Sequence, residues 1–99
     1  MDIGSAIKTV RKKRGIQQKD LADICDISQT SISQIENGLK NPSPRNLERL
    51  CVALGIPEPM IYIVALQETD IPRSKKEVYK MLHSPMVDLI LELGKASTS

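Results

Sequence analysis

Residues 28–38 read SQTSISQIENG, and the groups they offer beyond Ile32 and Ile35 are almost all amides and hydroxyls. Ile27, Ile32 and Ile35 recur at the spacing of one side of a short helix. At about 100° per residue, a core centred on Ile32 and Ile35 turns Thr30, Gln34 and Asn37 outward. Ser33 and Gln29 fall toward one edge and Ser31 toward the other, while Glu36, the single charge, falls back near the core. Amides and hydroxyls both donate and accept hydrogen bonds, as base edges in a major groove require. A Gln pairs bidentately with adenine, and Ser or Thr bonds several bases or touches a thymine methyl. Carboxylates there would repel phosphates, and lysines would bind any sequence. A plain polar surface remains the competing reading, but such a surface usually carries Lys and Glu.

Other chemistry has little to work with. His83 is the only histidine, so no histidine metal or catalytic cluster can form, and a solvated helix end is its expected place. Ser33 and Glu36 match a capping box but lie inside the helix, so that match is discounted. Neither a Gly-rich phosphate loop nor a convincing nucleophile–base pair occurs, and the expectation is a protein that is not an enzyme, with no metal and no cofactor. Cys25 and Cys51 show neither metal-ligand nor redox spacing, and each falls on an apolar helix side, which favours buried core thiols over a disulfide. With Tyr62 and Tyr79 as the only aromatics, binding single strands by base stacking is disfavoured. Met1 is followed by Asp2 and no apolar signal region, and the longest apolar run, residues 60–66, is too short to span a bilayer. A cytoplasmic protein with no membrane partner is expected, nucleoid-associated when bound to DNA.

Ninety-nine residues with a net charge of +2 make one domain, or one domain with an appendage. The charge is uneven: residues 1–66 hold nine basic and seven acidic side chains, with Lys8, Arg11, Lys12, Lys13 and Arg14 clustered, whereas residues 67–99 hold five of each. Such a cluster suits a polyanion, although it is also an ordinary solvated helix end. The elements that must position the polar face follow from pattern and caps. Ile3, Ala6, Ile7 and Val10 mark a first helix ending before Gly15, and Leu21, Ala22 and Cys25 a second from about Gln18. Ser28 caps the third, with Ile27 and Ile32 as a staple, and Gly38 ends it. Ser43 and Pro44 open a fourth that Gly55 closes. Residues 58–66 form a helix or a strand, and a helix is favoured because no strand partner is visible. Ser74 and Glu77 then read as a capping box, and Ser84-Pro85 as the start of a further helix.

Residues 7–56 resemble the helix-turn-helix family of lambdoid phage repressors and xenobiotic-response-element (XRE) type regulators. The resemblance rests on GIQQKDLAD at 15–23, ISQTSISQIENG at 27–38 and NPSPRNLERLCVALGI at 41–56, ordered and correctly spaced over about half the chain. The pattern makes the chain all-α, with a C-terminal helical extension of about two helices over 67–99 whose last residues (Lys95–Ser99) fray, and to this the resemblance adds a five-helix lambda-repressor-like domain over residues 1–66. The resemblance also implies that the third helix enters the major groove of double-stranded DNA, with Gln29, Thr30, Ser33 and Gln34 at base-reading positions. Gln18 would contact phosphate and brace Gln29; Asn37 would contact phosphate, with Lys40 and Asn41 as further phosphate contacts. Arg11 and Glu36 match a partly buried ion pair tying the first helix to the end of the third. Gln17 departs from the family, which places Thr or Ser there, and Gln caps poorly.

The family offers no fixed role for the extension. The fifth helix is apolar all round, and Met86, Leu89, Ile90 and Leu93, widened by Val87 and Leu91, form a second apolar face. Two readings stand: an intramolecular lid, or a homodimer interface built from Met60, Ile61, Ile63, Val64, Met86, Leu89, Ile90 and Leu93. The function expected is a dimeric transcriptional repressor or autoregulator on a pseudo-palindromic operator. The alternative is an antitoxin or protein-interaction module whose extension binds a toxin or another protein.

Overall fold

Helix boundaries follow the local chemistry. In a computed structural model describing residues 1–96, side chains through Leu93, six α-helices occur and no strand among those residues. They are α1 (Ile3–Lys13), α2 (Gln18–Cys25), α3 (Gln29–Glu36), α4 (Pro44–Leu54), α5 (Glu58–Ala65) and α6 (Lys76–Ala96). Asp2 accepts from the Ser5 N–H at 2.9 Å, Ser28 from Ser31 at 3.0 Å and Ser43 from Asn46 at 3.1 Å, so α1, α3 and α4 each gain a side-chain cap. Gln17 precedes α2 without a side-chain cap bond, as its chemistry predicts. Residues 58–65 are helical, as favoured over a strand.

The core is aliphatic. Ile7, Val10, Leu21, Ile32, Ile35, Leu50, Leu54 and Ile61 are essentially sealed from solvent, each contributing about 1.5–3 kcal/mol by burial. α1 lies at the centre, against α5, α3 and α4, while α2 packs on α3 and α4. Gly4 makes the α1–α3 contact possible: a Cβ there would drive into the backbone carbonyl of Ile35. Cys25 and Cys51 are free, buried thiols, as expected. Burial raises both, Cys51 to about 11, with nearby Glu58 adding to the effect.

The extension differs from its sequence pattern. Short 3-10 turns at Glu68–Asp70 and Arg73–Lys75 lead into one 21-residue helix, with Pro85 inside it rather than at its start. Pro85 sits on an exposed side, where water can take the bond that its missing N–H leaves open at Met81. Ser74 lies within the second turn; the capping box of this region instead joins Gln67 and Asp70. α6 lies against the end of α5, whose open carbonyls it satisfies: Tyr79 donates to Leu66 O at 3.1 Å, and His83 Nε2 faces Ile63 O at 2.8 Å. His83 is therefore half-buried and stacked on Tyr79, not at a solvated helix end. A carbonyl only accepts, so this ring nitrogen carries a proton. The helix continues through Lys95 and Ala96, where fraying was expected; the rest of that expectation, at 97–99, lies outside the described residues.

Gly4→Ala tests the close approach directly. Helix propensity alone would make Ala stabilising by up to about 1 kcal/mol, whereas overpacking against a backbone costs roughly 1–3 kcal/mol. A lowered urea midpoint is expected; a raised one would show that α1 and α3 have room to spare.

Candidate nucleic-acid interface

The polar helix is presented by the elements on either side of it. The chain leaves α2 through Asp26, in the left-handed region at φ 54°, a conformation that Asp tolerates better than most residues. Gly38 at φ 75° turns the chain away after α3. Ile32 and Ile35 anchor α3 in the core, so Gln29, Thr30, Gln34 and Asn37 stand exposed on the outer side and Ser33 half-exposed. Gln18, Gln29, Thr30, Ser33 and Gln34 line one shallow concavity of about 310 Å3 that contains no charged side chain.

The charge of Glu36 is consumed inside the protein. Arg11 Nε donates to Glu36 Oε2 at 2.6 Å and Nη2 to Oε1 at 2.9 Å, a bidentate pair with both residues buried. Arg11 Nη1 also donates to Ile16 O at 2.9 Å, and Gln18 Nε2 donates to Glu36 Oε1 at 3.0 Å. Gln18 thus braces Glu36 rather than Gln29. The result is an α3 surface with no free carboxylate.

The remaining expected contact residues surround this face. Asn37 Nδ2 lies 3.4 Å from Ser33 Oγ, and Lys40 Nζ donates to Ser31 Oγ at 3.3 Å. Lys40 and Asn41 border a second groove, with Gly38, Ile35 and the start of α1, so they flank α3 rather than share its concavity. The expected interface set divides. Ile61 and Ile90 belong to the chain's own core and are unavailable to a partner, and Met60, Ile63 and Val64 are half-buried against it. Met86, Leu89 and Leu93 remain exposed.

Sequence reasoning missed Arg14. Its Nε donates to Leu54 O at 3.0 Å and its Nη1 to Leu91 O at 2.6 Å, latching α4 and α6 to the end of α1. Read in sequence it is one more member of the basic cluster, and only tertiary placement separates it from exposed Lys12 and Lys13.

Two short packed helices, α2 and α3, joined by the turn at residues 26–28 and held on an aliphatic core with the uncharged face of the second outward, make a helix-turn-helix. The helix-turn-helix family model matches residues 7–61, more than half of the chain. The chain belongs to that family, in its XRE and lambdoid-repressor branch. It is 40% identical over 65 residues to the competence pilus inhibition repressor of Acinetobacter baylyi, covering 66% of this chain and 59% of that protein. It is 39% identical over 56 residues to the immunity repressor protein of Bacillus phage phi105, covering 57% of this chain and 39% of the repressor. A third relative, control protein C.BamHI of Bacillus amyloliquefaciens, is 39% identical over 54 residues, covering 54% of this chain and 67% of that protein. The match thus spans less than two thirds of the first two relatives. Among the described residues no helix is long and apolar enough to cross a membrane.

Glu36→Ala would leave the Arg11 guanidinium buried without its counter-charge, at a cost of about 3 kcal/mol or more. For a domain of this size that is a fall of roughly 10 °C or more in melting temperature. Calorimetry of the variant is expected to show it. An unchanged melting temperature would mean the pair contributes nothing to the fold.

Proposed function

We propose that this chain is a sequence-specific, double-stranded DNA-binding regulator of transcription, acting as a dimeric repressor on an inverted repeat with α3 in the major groove. The observation that carries the reading is the α3 face: Gln29, Thr30, Ser33 and Gln34 share one uncharged concavity while the Glu36 charge is neutralised behind it. Gln29 and Gln34 read base edges, Thr30 and Ser33 add hydroxyl or methyl contacts, and Asn37, Lys40 and Asn41 hold phosphates. Gln18, with its amide nitrogen given to Glu36, contributes through the start of α2, where no side chain caps the first N–H groups and a phosphate can bind. The relatives named as repressors and a control protein support regulation as the outcome of binding. One such helix reads few bases, and a two-fold pair would set its half-sites about 34 Å, or 10 bp, apart or a multiple of that.

Selection from random duplexes at moderate salt is expected to return an inverted repeat, and recovery of no enriched sequence would overturn the reading. Gln29→Ala and Gln34→Ala each relax preference at one base pair per half-site, by roughly 1–3 kcal/mol. Lys40→Ala weakens all sequences alike and flattens the salt dependence by about one phosphate contact. Equal losses on cognate and random DNA for Gln29→Ala would remove it from the base-reading set.

A further inference from the structure

Among the described residues the most exposed large apolar side chain is Leu39, 78% open to solvent in the turn after α3. A single exposed leucine is ordinary in itself. Val52 is nearly as open, at 77%, but it stands on α4 in a groove with Ile24, Glu48 and Arg49 that shares no residue with the polar concavity. Leu39 differs in what holds it and in what it stands beside.

Its backbone is fixed to the last turn of α3. The Leu39 N–H donates to Gln34 O at 2.9 Å and the Gly38 N–H to Ile35 O at 3.1 Å, with Gly38 at φ 75°. These are the paired bonds of a Schellman turn, which usually packs the residue in Leu39's place against the one whose carbonyl it bonds. Here that residue is Gln34, exposed and polar, so the leucine gains little cover there. The chain then runs back along the same edge of α3, because Lys40 Nζ reaches Ser31 Oγ at 3.3 Å, and Ser31 and Gln34 lie about 60° apart around the helix. Gln34 therefore has the polar concavity on one side and Leu39 on the other. Leu39 also stands between Asn37 and Lys40, both assigned to phosphates above. Seating α3 in the groove brings it to the base edges on a backbone that cannot swing away.

Chemistry names what it meets. A leucine side chain neither donates nor accepts hydrogen bonds, and the one apolar group on a base edge in the major groove is the thymine C5-methyl. Deoxyribose is the other apolar surface near the groove, but it is the same at every base and carries no sequence. The fixed position beside a base-reading amide favours the base. We infer that Leu39 is a specificity-determining residue that packs on the C5-methyl of one thymine in each half-site, next to the base pair that Gln34 reads. The inference rests on the proposed DNA reading and deepens it, adding an apolar contact where the other four readers are amides and hydroxyls.

The duplex for the test is the inverted repeat that the full wild-type chain selects from random sequence. Each thymine of the half-sites is replaced in turn by deoxyuridine, which removes only the methyl, and affinity is measured for wild type and Leu39→Ala. One thymine position is expected whose replacement costs wild type about fourfold per half-site, the worth of one covered methyl group, and costs Leu39→Ala nothing. At that position wild type should bind 5-methylcytosine better than cytosine, and Leu39→Ala should not distinguish them. Leu39 is exposed, so the thermal midpoint of the variant should stay within a few degrees of wild type; a larger fall would make its role structural and overturn the inference. Unchanged affinity in Leu39→Ala would overturn it too. So would a loss equal on every duplex with no thymine methyl coupled to it, which would put the side chain on deoxyribose. In each of those cases a wild type that still selects an inverted repeat leaves the DNA reading standing without Leu39. If wild type selects no sequence, the DNA reading fails and this inference fails with it.

Discussion

The structure turns on one buried carboxylate. Glu36 ends α3, and three donors converge on its two oxygens: Arg11 Nε and Nη2 from α1, and Gln18 Nε2 from α2. This joins the three helices that set the polar α3 face, two of which meet α3 through little else that is polar. It also removes the only negative charge α3 carries from any surface a phosphate backbone would approach. A buried pair of this kind is weak support for stability, because desolvation offsets most of its Coulomb energy. Its consequence is geometric: with Ile32 and Ile35 packed and Glu36 clamped, α3 cannot rotate or slide without stranding a charge in the core.

Two arginines three residues apart, Arg11 within α1 and Arg14 just past its end, divide the labour. Arg11 points inward to α3, and Arg14 reaches across to α4 and α6 through the carbonyls of Leu54 and Leu91. α1 therefore couples the polar face to the extension. α6 in turn closes the end of α5 with Tyr79 and His83, so one arc of the extension finishes the domain's core and hydrogen bonding while the adjacent arc stays exposed. The exposed Lys13–Glu92 pair, at 3.8 Å, follows the same seam but adds little.

Much of the helix-turn-helix domain was legible because its signals are local. Ser28 and Ser43 cap, Gly38 and Gly55 stop, and a period of 3.6 residues separates Ile32 and Ile35 from the amide face. The ion pair came from resemblance rather than pattern, since no local rule links Arg11 to Glu36. The extension was harder for a physical reason. Apolar residues cover so much of α6 that periodicity alone cannot tell which arc faces the domain, and Ile90 was grouped with Leu89 and Leu93 although it turns the other way. Pro85 reads as a helix start by its chemistry; only the placement of that residue on a solvated side lets the helix run through it. Gly4 carries no message in sequence beyond a poor helix former, because its reason is a carbonyl 31 residues away.

The central claim is that the uncharged α3 face, and not another surface, meets DNA. Side-chain amide and backbone resonances recorded while a selected duplex is titrated into the full chain test it most directly. The account expects the largest shifts at Gln29, Thr30, Ser33 and Gln34, with Lys40 and Asn41 following, and these shifts should be lost with a scrambled duplex at moderate salt. Shifts confined to the α2–α4 groove or to α6, with the Gln29 and Gln34 side-chain amides unmoved, would contradict it.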